Sequence, residues 1–175
     1  MKITLIRHTS VNAPQGTCYG QTDVPVNDTF EEEAAATLER LQGKEFDAVY
    51  CSPLSRCVRL ATYCGHPEAI RDRRLLELNF GAWEMQKFDD IRDPHLQEWF
   101  DDHIHEPATD GESFMEQLQR VFHFLEELKQ KPYEHVALFV HGGVILCAQL
   151  CAREFLPEQA FEHLTPYGGV AEIEI

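Results

Sequence analysis

Four short stretches of this chain carry side chains that could do chemistry. Arg7 and His8 end the first apolar run, and Ser52-Pro53-Leu54-Ser55-Arg56 follows the second. Glu77 stands just ahead of an aromatic-rich stretch, and His141-Gly142-Gly143 ends another apolar run. Arginines offer planar forks of N–H donors that fit phosphate oxygens. Helix starts after Ser52 and after His141 would add backbone N–H groups and positive dipole ends. Gly142 and Gly143 would let the backbone come close to a ligand. Together these are the parts of a phosphate cradle. A neutral imidazole flanked by arginines can attack phosphorus and carry the phosphoryl group covalently. The arginines and the second histidine can neutralise the transferring group without a metal. The leaving alkoxide needs a proton, which a carboxyl group can give. Glu77 is the first candidate for that role and Glu84 the second.

These residues meet only if the elements between them form a sheet. Residues 2–6 and 47–51 read as strands, 69–71 as a short strand, and 135–140 as a strand apolar on both faces. Residues 30–42, 53–64, 112–130 and 144–153 read as helices, with Ser52 as the N-cap and Pro53 as the first residue of the second. In the third helix Phe114, Leu118, Val121, Phe122, Leu125 and Leu128 form one apolar stripe. Residues 170–175 alternate as a strand with one wet face, and 12–29 form a long loop. Strands alternating with helices predict an α/β fold, a three-layer sandwich with a mostly parallel central sheet. In such sheets ligands bind outside the C-terminal ends of the strands. Those ends are where Arg7, His8, Ser52, Arg56 and His141 fall.

The chain has 175 residues, enough for one domain. Residues 79–111, rich in aromatics and acids, are expected to form a lid-like helical excursion. The formal net charge of −15 disfavours nucleic acid and anionic membranes as partners. A small phosphorylated metabolite is the expected partner, with a homodimer left open and no cofactor or metal expected. The N-terminal apolar run is too short for a signal-peptide core, and no stretch reaches the ~20 apolar residues of a membrane span, so a cytoplasmic location is expected. The six cysteines include no C-x-x-C pair and read as free, buried thiols. Asp101-Asp102-His103-Ile104-His105 reads as a solvated loop rather than a metal site.

In these same residues the chain resembles the histidine phosphatase (phosphoglycerate mutase-like) superfamily. Arg7-His8-Thr9 is similar to the family's Arg-His-Gly, and Ser52-Pro53-Leu54-Ser55-Arg56 to its Ser-Pro-x-x-Arg. Glu77-Leu-Asn-Phe-Gly-Ala-Trp-Glu84 is similar to Glu-x-x-Phe-Gly-x-Trp-Glu. Gly111-Glu112-Ser113 and Val140-His141-Gly142-Gly143 complete the set in family order. The resemblance implies a phosphoglycerate mutase-like fold, with His8 as phosphorylated nucleophile, Arg7, Arg56 and His141 as phosphate ligands, and Glu77 as proton donor. The chain departs from the family pattern at Thr9, in place of glycine, and at Pro14, in place of asparagine. The second departure implies that one phosphate ligand is missing or is supplied another way by residues 12–23. Residues 75–84 and 18–23 look like the branch acting on α-ribazole 5′-phosphate in cobalamin biosynthesis. Substrate contacts are then expected from Thr9, Gln21, Gly142 and Trp83 as well as from Arg7, Arg56 and His141, with Trp83 stacking on a flat heteroaromatic group. A phosphoglycerate mutase-type transferase, a broad-specificity sugar phosphatase and a non-catalytic phosphate-binding module are the alternatives.

Overall fold

In the computed structural model, which describes residues 1–175, five strands form one sheet in the order β3-β2-β4-β1-β5. They are β1 (Lys2–Arg7), β2 (Ala48–Cys51), β3 (Ile70–Arg71), β4 (His135–Val140) and β5 (Val170–Glu174). The first four run parallel, and β5 closes one edge antiparallel to β1. Five α-helices accompany them: α1 (Phe30–Arg40), α2 (Ser55–Tyr63), α3 (Leu96–Asp101), α4 (Phe114–Leu128) and α5 (Gly142–Cys151).

The alternation of the strands decides the layers. Val136, Leu138 and Val140 join Ile3 and Leu5 in a cluster with Phe114, Val121, Leu125, Ile145 and Leu146 of α4 and α5. Ala137 and Phe139 join Ile6 in a second cluster with Phe30 and Ala34 of α1 and Leu60 and Ala61 of α2. β4 is thus buried on both faces, as its unbroken apolar run requires, and the fold is the three-layer α/β/α sandwich. No helix is long and apolar enough to cross a membrane. All six cysteines are free, five of them buried.

Two local readings are corrected. α2 begins at Ser55, not Pro53, with Leu54 at the cap and no side-chain cap bond. The Ser52 hydroxyl is instead 2.7 Å from His141 Nε2. On α4 a capping box between Ser113 and Glu116 sets the start, but the buried stripe is turned from the expected one. Phe124 and Gln117 are enclosed, whereas Phe122 is 46% exposed. An apolar stripe on a helix can be drawn through either of two nearby phenylalanines, and packing against Tyr50, whose ring lies 5.4 Å from that of Phe124, selects one.

Residues 79–111 form short 3₁₀ and α segments around Cys18, Trp83, Ile91 and Ala108, a small apolar cluster separate from the two main ones. Replacing Phe124 by Ala should cost about 3–5 kcal/mol in urea unfolding, and replacing Phe122 by Ala less than about 1 kcal/mol. Equal costs would put the stripe back in the phase expected from sequence.

Candidate active site

β1 and β4 are paired with Arg7 opposite Val140. The next residue on each strand, His8 and His141, therefore emerges at the same rim, with ring centroids 5.1 Å apart and edge to face. β2 lies on the other side of β4 with Cys51 opposite Phe139, which delivers Ser52 to His141. His8 lines a cleft of about 250 Å³ together with Arg7, Glu77, Gln117, Gly142 and Gly143. The remaining wall is apolar: Leu78, Phe80, Phe114, Leu146, Phe161 and Leu164, with Tyr19 at one side. A larger groove of about 910 Å³ on the outer side of α4 and α5 is lined by Leu118, Phe122 and Leu150 among others, and holds no histidine.

His8 is 2% exposed. Its Nδ1 donates to the Thr9 carbonyl at 2.7 Å, which fixes the tautomer and leaves the lone pair on Nε2. Burial, then the charge of Arg56 and that of Arg7, push its pKa down to about 3, against the Thr9 bond. His141 is fully enclosed, and burial first, then His8 and the arginines, hold it well below the usual histidine range. Both rings are therefore uncharged at neutral pH.

The two guanidinium groups are held by backbone carbonyls. Arg56, completely buried, donates Nη1 to the Thr22 carbonyl at 2.9 Å and Nη2 to that of Gly20 at 2.5 Å. Arg7 donates Nη1 to the Thr165 carbonyl at 2.5 Å. The Nε of each is buried with no protein partner; Arg7 lines the cleft, and Arg56 stands enclosed outside its lining. Gly142 matters here for close approach: a Cβ would lie 3.1 Å from Arg7 Cζ and 2.8 Å from Leu164 Cδ1. The Tyr167 ring lies against Arg7, 4.1 Å from Cζ, and the Tyr19 ring against Arg56 at 5.6 Å. Their hydroxyls meet at 2.6 Å, so the pair links the surroundings of the two arginines.

Glu77 faces this group across the cleft. Its Oε1 accepts from Leu78 N and Gln117 Nε2, each at 2.9 Å, and its Oε2 from Gly143 N at 3.1 Å. Glu84, the second candidate acid, is occupied otherwise. It accepts from the backbone N–H groups of Gly20, Gln21, Thr22 and Phe80 and from the Thr22 hydroxyl. Against the opposing effect of burial, these bonds hold its carboxyl below the usual range. It thereby pins the loop whose carbonyls hold Arg56.

Three residues expected to contact the ligand are enclosed or have protein partners. Trp83 is 1% exposed, packed in the small apolar cluster with its Nε1 donating to Asp93 at 2.8 Å, because a buried indole needs an acceptor. Gln21 donates its amide to the Glu77 carbonyl at 3.0 Å, so it steadies the backbone of the acid. The Thr9 side chain is enclosed with its hydroxyl unpaired, and its carbonyl accepts from His8 Nδ1. Gln117, Tyr19 and Tyr167 belong to the site although no motif singles them out. Gln117 leaves a signal in the sequence, as a polar residue within the apolar phase of α4, and Tyr19 lies within the family-like stretch 18–23; Tyr167 leaves none. His95, Glu98 and Glu106 bring possible metal-ligand atoms together. Both ring nitrogens of His95 are already engaged, with Glu98 Oε2 at 2.7 Å and the Pro107 carbonyl at 3.0 Å.

The family described as the histidine phosphatase superfamily (branch 1) matches residues 3–175. The adenosylcobalamin/α-ribazole phosphatase of Escherichia coli K12 is 30% identical over 173 residues, covering 93% of this chain and 84% of the relative. The crystal structure of the α-ribazole phosphatase from Shigella flexneri superposes with a TM-score of 0.91 at 27% identity, covering 100% of this chain and 91% of that one. That of a phosphoglycerate mutase from Thermus thermophilus superposes with a TM-score of 0.79 at 28% identity, covering 99% and 93%.

The depressed histidines set a pH dependence of stability. Below the unfolded pKa of about 6.5 the unfolded chain takes up protons that native His8 and His141 refuse. The contribution of His8 is complete above pH 6.5 and is lost as pH falls toward 3, by about 1 kcal/mol per pH unit; that of His141 is lost in the same direction on acidification. Urea unfolding between pH 6 and 4 should show a steeper loss of stability in wild type than in His8→Asn. Identical slopes would mean that His8 is not held neutral.

Proposed function

The chain belongs to the histidine phosphatase superfamily (branch 1), and from that premise we propose that it is a cytoplasmic phosphomonoesterase. It works through a phosphohistidine, and its substrate is α-ribazole 5′-phosphate or adenosylcobalamin 5′-phosphate in cobalamin biosynthesis. The observation that carries the chemistry is the state of His8. It is an uncharged imidazole with Nδ1–H spent on Thr9, sharing its surroundings with two arginines that each keep an unpaired Nε.

Nε2 of His8 attacks phosphorus, the P–O ester bond breaks, and Glu77 passes its proton to the departing alkoxide oxygen. The Thr9 carbonyl then faces a ring that has gained positive charge, and its hydrogen bond strengthens. Arg7 and Arg56 meet the charge on the phosphoryl oxygens. In the second half, water attacks phosphorus and gives a proton to the Glu77 carboxylate. The N–P bond breaks, so phosphate leaves with His8 neutral and Glu77 protonated again.

Two observations favour the substrate. The E. coli relative and the S. flexneri structure are both named α-ribazole phosphatases. In addition, Leu78, Phe80, Phe114, Phe161 and Leu164 give the cleft an apolar wall suited to a flat heteroaromatic group. A mutase acting on a phosphoglycerate would need a cation for the substrate carboxylate. Arg7 is the only cation in the cleft wall, and it serves the phosphate. A small phosphorylated metabolite is thus the proposed partner.

Alanine at His8 should lower turnover of a phosphomonoester by at least about a thousandfold, while wild type should keep its activity in excess EDTA. Among sugar, nucleotide and glyceric acid phosphates, α-ribazole 5′-phosphate should give the highest kcat/KM. Isomerised phosphoglycerate without free phosphate would instead identify a mutase. Undiminished turnover in His8→Ala would remove the phosphohistidine.

A further inference from the structure

Gln117 is completely buried on α4, at a position where the helix otherwise turns apolar side chains toward the sheet. A buried carboxamide costs free energy unless its polar atoms are bonded. Only half of this one is. Nε2 donates to Glu77 Oε1 at 2.9 Å, while its own Oε1 is buried without a partner. The neighbouring backbone makes room for the arrangement. A Cβ at Gly143 would lie 2.9 Å from Gln117 Oε1 and 3.0 Å from Nε2, and it would collide with Glu77 Oε1. A poorly satisfied amide kept in a dry core, next to the carboxyl group and in the wall of the cleft, is placed for that carboxyl group rather than for packing.

The two oxygens of Glu77 are held unequally. Oε1 takes two N–H groups, from Leu78 and Gln117, and Oε2 takes one, from Gly143. Oε1 is therefore fixed as an acceptor, and Oε2 retains a lone pair that can carry a proton. The donor on Oε1 is also uncharged. Charged and titratable groups stand near from every side: Arg7 at the end of β1 and His8 after it, Cys57 within α2, His141 before α5, Cys147 within α5, and Glu112 and Arg120 at α4. None of them hydrogen-bonds the Glu77 carboxyl group. Arg120 reaches only the carbonyls of Arg74, Leu76 and Glu77 and the side chain of Glu112. A cation in place of the amide would hold Glu77 ionised, whereas the carboxamide bonds an ionised carboxylate and the carbonyl oxygen of a protonated one alike.

We propose that Gln117 is the positioning residue for the acid: a neutral N–H that fixes Glu77 Oε1 and turns Oε2 to the ester oxygen without committing Glu77 to one protonation state. This rests on the reading of Glu77 as proton donor. The role is confined to the step that needs a proton, so it weighs most on esters whose alkoxide is a poor leaving group.

The test compares an alkyl ester, ribose 5-phosphate or α-ribazole 5′-phosphate, with p-nitrophenyl phosphate, whose leaving group needs little protonation. Wild type, Gln117→Leu, Gln117→Glu and Glu77→Gln are measured across pH. Gln117→Leu should lower kcat/KM for the alkyl ester about tenfold more than for the aryl ester, the loss of one hydrogen bond to a charged partner. Gln117→Glu, nearly isosteric, should move the basic limb of kcat/KM for the alkyl ester up by about one pH unit, because a second carboxylate disfavours ionisation of the first. A merely structural role predicts equal losses on both esters, which overturns the proposal; an unmoved limb would put residue 117 out of contact with Glu77 and overturns it as well. Should Gln117→Leu fail to fold, the limb in Gln117→Glu decides alone. Glu77→Gln serves as the separate control: if it depresses both esters equally, the acid has been misassigned and the underlying reading fails, independently of Gln117.

Discussion

One fully buried guanidinium and one half-buried one stand beside an imidazole, and most of the site follows from what that demands. Taking a cation out of water costs several kcal/mol unless its N–H groups find acceptors. Here the acceptors are backbone carbonyls: Gly20 and Thr22 for Arg56, Thr165 for Arg7. Carbonyls offset desolvation without neutralising the charge, as a carboxylate would. The positive field is therefore kept, and it adds to burial in keeping His8 uncharged with its lone pair available. This local field stands inside a chain of net charge −15. The affinity of the site for an anion has to come from these two side chains and the N-terminal end of α5, at short range and behind apolar walls where screening is weak.

The loops that supply those carbonyls are long and need anchors of their own. Glu84 collects the backbone N–H groups of residues 20–22 and ties them to the stretch that begins at Glu77. Arg120 ties the carbonyls of residues 74, 76 and 77 to α4 through Glu112. Arg56 and the acid are thus set by one connected group of hydrogen bonds and an ion pair, whereas Arg7 is held by the Thr165 carbonyl and His8 by that of Thr9. The sheet provides the frame. With β1 and β4 adjacent and β2 beside β4, the residues just past three strand ends fall on one rim.

That rim is legible because strand ends, turn glycines and arginines leave local marks in a sequence, and the topology of parallel sheets converts them into a place. What escapes is decided by tertiary partners. Trp83 reads as a platform for a flat ligand because an indole in an irregular, aromatic stretch has no periodicity to betray its burial; Cys18, Ile91 and Asp93 draw it into a core of its own. Phe122 and Phe124 fit the same helix almost equally well, and packing against Tyr50 on β2 and under Arg74 distinguishes them. Tyr19 and Tyr167 are 148 residues apart and touch through their hydroxyls, a contact with no local pattern at all. Gln21 stands beside the site as expected but for another reason, since its amide holds a carbonyl of the acid.

The nucleophile and the acid are built on opposite principles. His8 performs best in a single protonation state, and fixed cations with burial enforce it. Glu77 has to gain and lose a proton in each cycle, so any charge in direct contact would bias it toward one half of the reaction. Its immediate partners are two backbone N–H groups and one carboxamide, all neutral. The arginine on its side, Arg120, is turned onto Glu112 and the main chain. A cleft that gathers positive charge at one wall and excludes it from contact with the carboxyl group at the other can both hold a phosphate dianion and return a proton to the alcohol it releases.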